Sequence, residues 1–225
     1  MRPQRPSPAA VVATNRDRMR RGLNVAAAAV GVVFAFPVML LIVLAIRLTS
    51  RGPILYSQTR VGMDRRFNTD RPANGRRRTD VGGRPFTIVK FRTMYVQEDE
   101  SQRWAAAEDP RVTPVGRFLR KYRLDELPQL VNVLRGDMNL VGPRPEQPEI
   151  FQELRHRVAR YPERQRVLPG ITGWAQVRHR YDTSIEDVKK KVEFDLEYIE
   201  RRSAAEDAKI MLMTVPVMVL RRGAL

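Results

Sequence analysis

Between Val25 and Ile46 the chain runs for 22 residues without a charged side chain, and Pro37 stands near the middle of that run. About 20 apolar residues suffice to enter the hydrocarbon core of a bilayer. The Arg-rich stretch Asn15–Gly22 precedes the run, and Arg47 and Arg51 follow it. Basic residues at both ends give little asymmetry for the positive-inside rule. No small-residue cleavage site follows before Arg47, so the segment is expected to stay in the mature chain. A proline in a helix interior removes one backbone donor and clashes with the preceding turn. A re-entrant helix-break-helix over 25–46, bent at Pro37 and with both ends on one membrane face, is therefore expected; a kinked spanning helix is the alternative. Ile210–Leu220, IMLMTVPVMVL, is a second charge-free run, too short to span and followed by Arg221 and Arg222. It reads as an interfacial amphipathic helix, with a core helix as the alternative.

Setting aside the polar, basic segment 1–24 and the membrane segment leaves 47–225 as one globular unit. The chain has 225 residues and a formal net charge of +16, which points to a polyanionic partner: nucleic acid, anionic membrane lipids or nucleotide phosphates. It has no cysteine and two histidines, His156 and His179, which argues against a zinc site.

Two short β-type runs, Ile54–Gln58 and Phe86–Phe91, flank a polar insert at 68–84 carrying Arg71, Arg76, Arg77, Arg78 and Arg84. The insert reads as a basic loop facing solvent or lipid headgroups, without a catalytic role. The second run ends in KFRTM, where strand alternation places Lys90 and Arg92 on one face, suited to phosphate or simply exposed. Further on, Arg117 and Arg120 are three residues apart and share a helical face.

RLDELPQLVNVLRGDMNLVGPRPE, Arg123–Glu146, concentrates the chemistry. Pro128 belongs in the first turn of a helix that Gly136 ends, placing Asp125 and Glu126 at its N-terminus, where the dipole favours an ionised Asp125. An ionised aspartate can be a nucleophile; equally, Asp125 can be a plain helix cap beside a solvated Glu126. Leu130, Val131, Val133 and Leu134 supply an apolar face. Arg144, between Pro143 and Pro145, sits on restricted backbone and suits a phosphate clamp. VLPGITGWAQV, Val167–Val177, reads as a tight loop before a strand, lining a nucleotide pocket or forming a core turn. Ile185–Ile199 carries Val188, Val192 and Ile199 at helical spacing, with Asp195 as a polar exception.

The order of these segments, from the apolar N-terminal stretch through KFRTM, LDELPQL, GDMNLVGPRPE and PGITGWAQV, resembles the bacterial sugar transferases, the monotopic polyprenyl-phosphate phosphoglycosyl transferases. The resemblance covers nearly all of Val25–Leu220. It implies transfer of a sugar 1-phosphate from a UDP-sugar to polyprenyl phosphate at the cytosolic face of the bacterial inner membrane, with release of UMP. It further implies Asp125 as nucleophile and Glu126 as its partner at a Mg2+ ion, with Lys90, Arg92, Arg120 and Arg144 around the phosphates. Arg180 and Asp207 match further polar positions of less defined role, and Arg117 goes with them. Phe36 stands before Pro37 where relatives often carry Ser, leaving Pro37 alone to form the bend. The insert at 68–84 is a second departure.

Neither of two other classes fits as well. Basic residues are spread along the chain without a nucleic-acid-binding module, so no nucleic acid is expected. A non-catalytic scaffold would not need the intact Asp-Glu pair with Lys90 and Arg144. The expected architecture is an α/β or α+β domain with few strands, surrounded by membrane-associated helices; homo-oligomerisation is left open.

Overall fold

The computed structural model describes residues 15–65, 82–96, 109–179 and 184–219, with side chains to 217. Most of the basic insert at 68–84, together with Arg180, Arg221 and Arg222, lies outside the described residues. The described elements are α1 (Asn15–Thr49), β1 (Leu55–Val61), β2 (Pro85–Phe91), α2 (Pro114–Lys121), α3 (Gln129–Arg135), β3 (Asn139–Val141), α4 (Pro148–Arg157), β4 (Gly170–Thr172), α5 (Trp174–Arg178), α6 (Ile185–Arg201) and α7 (Ala204–Val219). Two-stranded pairs are the only sheets among the described residues: β1 with β2 antiparallel, β3 with β4 parallel. Mixed helix with few strands is as expected.

Local chemistry sets the element ends. Thr113 accepts from the Gly116 N–H at 2.8 Å, with Pro114 in the first turn of α2. A reciprocal Ser184–Asp187 capping box opens α6. Gly136, at φ 91°, closes α3 in the left-handed conformation that glycine adopts without a Cβ penalty. In VLPGITGWAQV the expectation of a loop before a strand is corrected: the strand is the short β4 itself, and Trp174 onward is helix.

α1 differs from expectation in continuity. The helix passes through Pro37 in one piece and extends beyond 25–46 at both ends, so the expected break is not present. One proline removes one backbone donor, and α1 is packed against the domain on both sides of it. Upstream, Arg21 donates to the Met138 carbonyl at 2.7 Å and Asn24 accepts from the Leu140 N–H at 2.7 Å. Ala28 joins Phe86, Ile88, Val133 and Met138 in one core cluster. Downstream, Ile42 and Ile46 join Phe91 and Leu119 in another. The opposite face leaves Val33, Phe34, Leu41, Leu44 and Leu48 exposed. By length and composition α1 is apolar enough to cross a membrane.

The largest core cluster lies between α4, α6 and α7 and includes Phe151, Tyr161, Trp174, Val188, Val192 and Ile199. Ile210 is fully buried there, while Leu212 and Val215 are exposed. α7 thus offers one face to the core and one outward, so that the stretch from Ile210 combines features of the interfacial amphipathic helix and of the core helix that its sequence left open. Of the apolar side chains expected on one face of α3, Leu130 and Val133 pack inward whereas Val131 and Leu134 are partly exposed.

Candidate active site

Strand alternation on β2 turns Phe86 and Ile88 into the core and brings Lys90 to the end of the same inward row. α3 is clamped to this strand by Asn132, whose amide donates to the Thr87 carbonyl at 2.7 Å and whose Oδ1 accepts from the Val89 N–H at 3.3 Å. The chain just before α3 forms a 3-10 turn over Leu124–Glu126, preceded by Arg123 at φ 53°. Fixing α3 on β2 therefore fixes Glu126 on Lys90: Nζ donates to Oε1 at 2.8 Å. Arg144 Nη2 reaches the same Oε1 at 2.8 Å.

Both carboxylates are buried, Asp125 to 8% and Glu126 to 6% residual exposure, whereas the Arg144 side chain retains 37%. The cluster therefore meets solvent through a cation. No hydrogen bond to the Asp125 carboxylate is found among the described residues. Arg120, held by Thr93 Oγ1 at 2.9 Å from its Nε, is near enough for its charge to act on Asp125. Two carboxylates thus share their surroundings with three cations.

Burial raises the pKa of Asp125, opposed by Lys90 and reinforced by Glu126. The helix dipole was expected to favour ionisation here; burial outweighs it, and α3 begins only at Gln129, past Pro128. Burial acts the same way on Glu126, but Arg144 and Lys90 outweigh it and hold this carboxyl well below the usual carboxylate range. Lys90 is lowered by its own burial against the pull of Glu126, and Arg144 is raised chiefly by Glu126.

The segment that carries Arg144 is pinned along its backbone. Gly170 N donates to the Pro143 carbonyl at 3.0 Å, Arg60 Nη1 to the Pro145 carbonyl at 3.2 Å, and Val61 N to the Glu146 carbonyl at 2.8 Å. This close approach needs glycine: a Cβ on Gly170 would lie 2.1 Å from the Gly142 nitrogen. Glu146 accepts from Lys191 Nζ at 2.7 Å, and although burial alone would raise it, Lys191 and Arg164 bring its pKa down to about 2.

Three residues expected at the site lie elsewhere. Arg92 is just past the end of β2 and donates to the Ser50 carbonyl, Ser50 Oγ and the Arg51 carbonyl, holding the C-terminal end of α1. Alternation put it beside Lys90, but the strand ends one residue too early. Arg117 is exposed on α2 while Arg120 turns inward. Asp207 pairs with Arg20 at 2.8 Å and lies 2.8 Å from the Tyr198 hydroxyl, joining α1, α6 and α7. Arg180 lies outside the described residues. Asn132, Arg60 and Glu146 were missed as site-forming residues; Asn132 and Glu146 both stood inside Arg123–Glu146, already singled out, but Asn132 showed itself there only as a polar residue on a short apolar helix.

No cluster of three or more His, Asp or Glu able to hold a metal is found among the described residues. A divalent ion here would have Asp125, the second oxygen of Glu126, and oxygens of substrate and water. That set fits Mg2+, which usually takes one or two carboxylates and completes its octahedron with phosphate and water.

Residues 15–221 match the family model described as bacterial sugar transferase. The chain belongs to the bacterial sugar transferase family. It is 42% identical to the UDP-glucose:undecaprenyl-phosphate glucose-1-phosphate transferase of Escherichia coli (strain K12), over 88% of this chain and 39% of that protein. It is 38% identical to the UDP-N-acetylgalactosamine-undecaprenyl-phosphate N-acetylgalactosaminephosphotransferase of Aeromonas hydrophila, over 92% of this chain and 45% of that protein. It is 41% identical over its whole length to 77% of the UDP-glucose:undecaprenyl-phosphate glucose-1-phosphate transferase of Caulobacter vibrioides. The chain thus spans less than half of the first two relatives and about three quarters of the third.

Proposed function

We propose that this chain is a polyprenyl-phosphate phosphoglycosyl transferase, moving a sugar 1-phosphate from a UDP-sugar to polyprenyl phosphate through a covalent intermediate on Asp125. The observation that carries this reading is the convergence of Lys90 and Arg144 on one oxygen of Glu126, beside a buried Asp125 with no donor of its own. Such a cluster leaves one carboxylate free to attack and cations in excess to receive a diphosphate.

An Asp125 oxygen attacks the β-phosphorus; the bond from that phosphorus to the bridging oxygen breaks, and UMP leaves with the electron pair. A phosphate oxygen of the polyprenyl acceptor then attacks the same phosphorus and expels the Asp125 carboxylate. Arg144, exposed at the rim, meets the diphosphate, while Lys90 and Arg120 offset charge on the transferred group. Mg2+, held by Asp125 and Glu126, would neutralise further phosphate charge when bound. Glucose and N-acetylgalactosamine both occur in the relatives' names, so the sugar is left unassigned.

We place the chain at the inner membrane with its catalytic face cytosolic and α1 in one leaflet. Support comes from the docking of both halves of α1 on one domain. From Arg20 to Ile46 the helix rises about 39 Å, yet Arg20 pairs with Asp207 and Ile46 packs with Phe91. A spanning course would carry one of these contacts to the far side of the bilayer. The exposed apolar face of α1 is the face offered to lipid, and a continuous helix docked at both ends would lie along the leaflet instead of turning back at Pro37.

The test is labelling in detergent. UDP-sugar with a radiolabelled sugar, supplied without acceptor, should leave label on the protein, and Asp125→Asn should leave none. Label on the Asn variant at wild-type stoichiometry would remove Asp125 from the role.

A further inference from the structure

Arg164 is the largest fully buried side chain among the described residues and stands outside the chemistry proposed above. Its Nε donates to Asp195 Oδ2 at 2.6 Å, its Nη1 to the Tyr161 hydroxyl at 3.0 Å, and its Nη2 to the backbone carbonyl of Arg144 at 3.0 Å. Asp195, 2% exposed, is the polar exception on the inward face of α6. Stability alone is a poor reason for such a pair. Buried ion pairs can often be exchanged for apolar residues of similar volume at little or no loss, because desolvation offsets the attraction.

The covalent structure around Arg144 supplies another reason. Pro143 and Pro145 flank it; proline fixes its own φ, and the residue before a proline is confined to extended conformations. Pro145 has no N–H, so the carbonyl of Arg144 is the one polar group of the peptide bond between them. A donor on that carbonyl sets the remaining rotation, and hence where the Arg144 guanidinium points. Arg164 is that donor, and its planar fork is itself oriented by Asp195 and Tyr161.

We infer that Arg164, oriented by Asp195, is a positioning residue that holds the backbone of Arg144 so that its guanidinium stays on Glu126 and on the substrate diphosphate. This rests on the reading of Arg144 as a phosphate clamp. The anchor reaches the carbonyl from the α6 side while Glu126 takes the guanidinium on the other.

The test combines three measurements. In the intact wild-type protein, hydrogen exchange of the Val61 and Gly170 amides, which donate to the Glu146 and Pro143 carbonyls on either side of Arg144, should be as slow as in α6; exchange at the rate of an unrestrained loop would overturn the inference. The pair is then replaced by apolar residues, Arg164→Met with Asp195→Leu, and separately by Arg164→Lys, each alone and with Arg144→Ala. Folding is checked by thermal unfolding. The apolar pair should fold as wild type does, exchange faster at the Val61 and Gly170 amides, and lose about tenfold in kcat/KM for UMP release. In the Arg144→Ala background the same replacement should cost less than about twofold, because the residue it positions is gone. Wild-type exchange and turnover in the apolar pair, or equal fold losses in both backgrounds, would make Arg164 merely structural. If the apolar pair fails to fold, Arg164→Lys, which keeps the charge and loses the fork, answers by the same criteria. Absence of UMP release from wild type with every UDP-sugar tried would sink the functional reading, while hydrogen exchange would still decide the anchoring of Arg144.

Discussion

Two of the clusters of buried charge among the described residues are built to different rules. At Arg20, Asp207 and Tyr198 one cation meets one carboxylate: Arg20 Nη2 lies 2.8 Å from Asp207 Oδ2 and the Tyr198 hydroxyl 2.8 Å from Oδ1. Every strong group there answers another within the cluster. At Lys90, Asp125, Glu126 and Arg144 the pairing is uneven: two cations share one oxygen of Glu126, and Asp125 accepts no hydrogen bond among the described residues. A structural ion pair consumes its own donors and acceptors, whereas a reactive site keeps some unspent. The two clusters even share a fault line in sequence reading, since Asp125 and Asp207 both entered as site candidates and only the first is placed among cations in excess.

That contrast can be broken first at the closed cluster. Asp207→Asn should cost about 3–5 kcal/mol of stability by leaving Arg20 buried without its counter-ion, and the fraction that remains folded should release UMP at the wild-type kcat. A kcat that falls in parallel with stability would mean the closed cluster serves the reaction after all. The reverse pattern belongs to Arg144→Ala: turnover down by roughly 10²-fold with a modest change in Tm, because that side chain is more than a third exposed. Detergent unfolding and UMP release measured on both variants separate the two roles.

Glu146 sharpens the comparison, because it lies between the clusters in character: buried and paired, yet attached to the Arg144 backbone. Its pKa falls from 4.5 to about 2 on folding. A depressed carboxyl contributes stability that is present above its unfolded pKa and is lost as pH drops through the folded one, here between 4.5 and about 2. Glu146→Gln should therefore be less stable at neutral pH by roughly 1–3 kcal/mol, and should lack that part of the acid dependence of Tm. An unchanged acid profile would argue that Lys191 and Arg164 do not hold Glu146 as the structure has them.

Asp125 gives a pH effect of the opposite direction. Its pKa is raised by burial, so as the proposed nucleophile it loses its charge at a higher pH than an ordinary aspartate, and the acid limb of kcat/KM should be displaced upward accordingly. Since Lys90 opposes that rise, Lys90→Met should move the limb further up, whatever its effect on the plateau. The smallest effect is expected at Pro37→Ala, which restores one backbone bond in a helix already continuous and docked at both ends. Thiol labelling from outside intact cells should find cysteines placed before and after α1 equally protected in both proteins; exposure of the upstream site would establish a spanning course.

Local patterning was enough for the two β-type runs that become β1 and β2, for the helix stop at Gly136 and for the inward stripe of α6, because period and capping act over a few residues; the pairing of β1 with β2 came only from the structure. Clustering Lys90, Asp125, Glu126 and Arg144 was legible through the ordered motifs rather than through any distance. The misplacements share a cause. Arg92 was assigned by extending strand alternation past Phe91, and Asp207 by its match to a family position, whereas the contacts each makes come from elements far away in sequence: Ser50 and Arg51 for one, Arg20 for the other. The ionisation of Asp125 was argued from the helix dipole, a local effect, while burial by the surrounding domain decides it.

What this chain determines by itself is therefore the identity and order of its charged motifs, and an apolar length sufficient to cross a membrane. Both are properties of consecutive residues. Tertiary structure alone decided which of its many arginines face a carboxylate, that both halves of α1 rest on one domain, and that Arg164 reaches the carbonyl behind Arg144. Those outcomes depend on desolvation and on hydrogen bonds between segments tens of residues apart, and neither acts until the segments have packed.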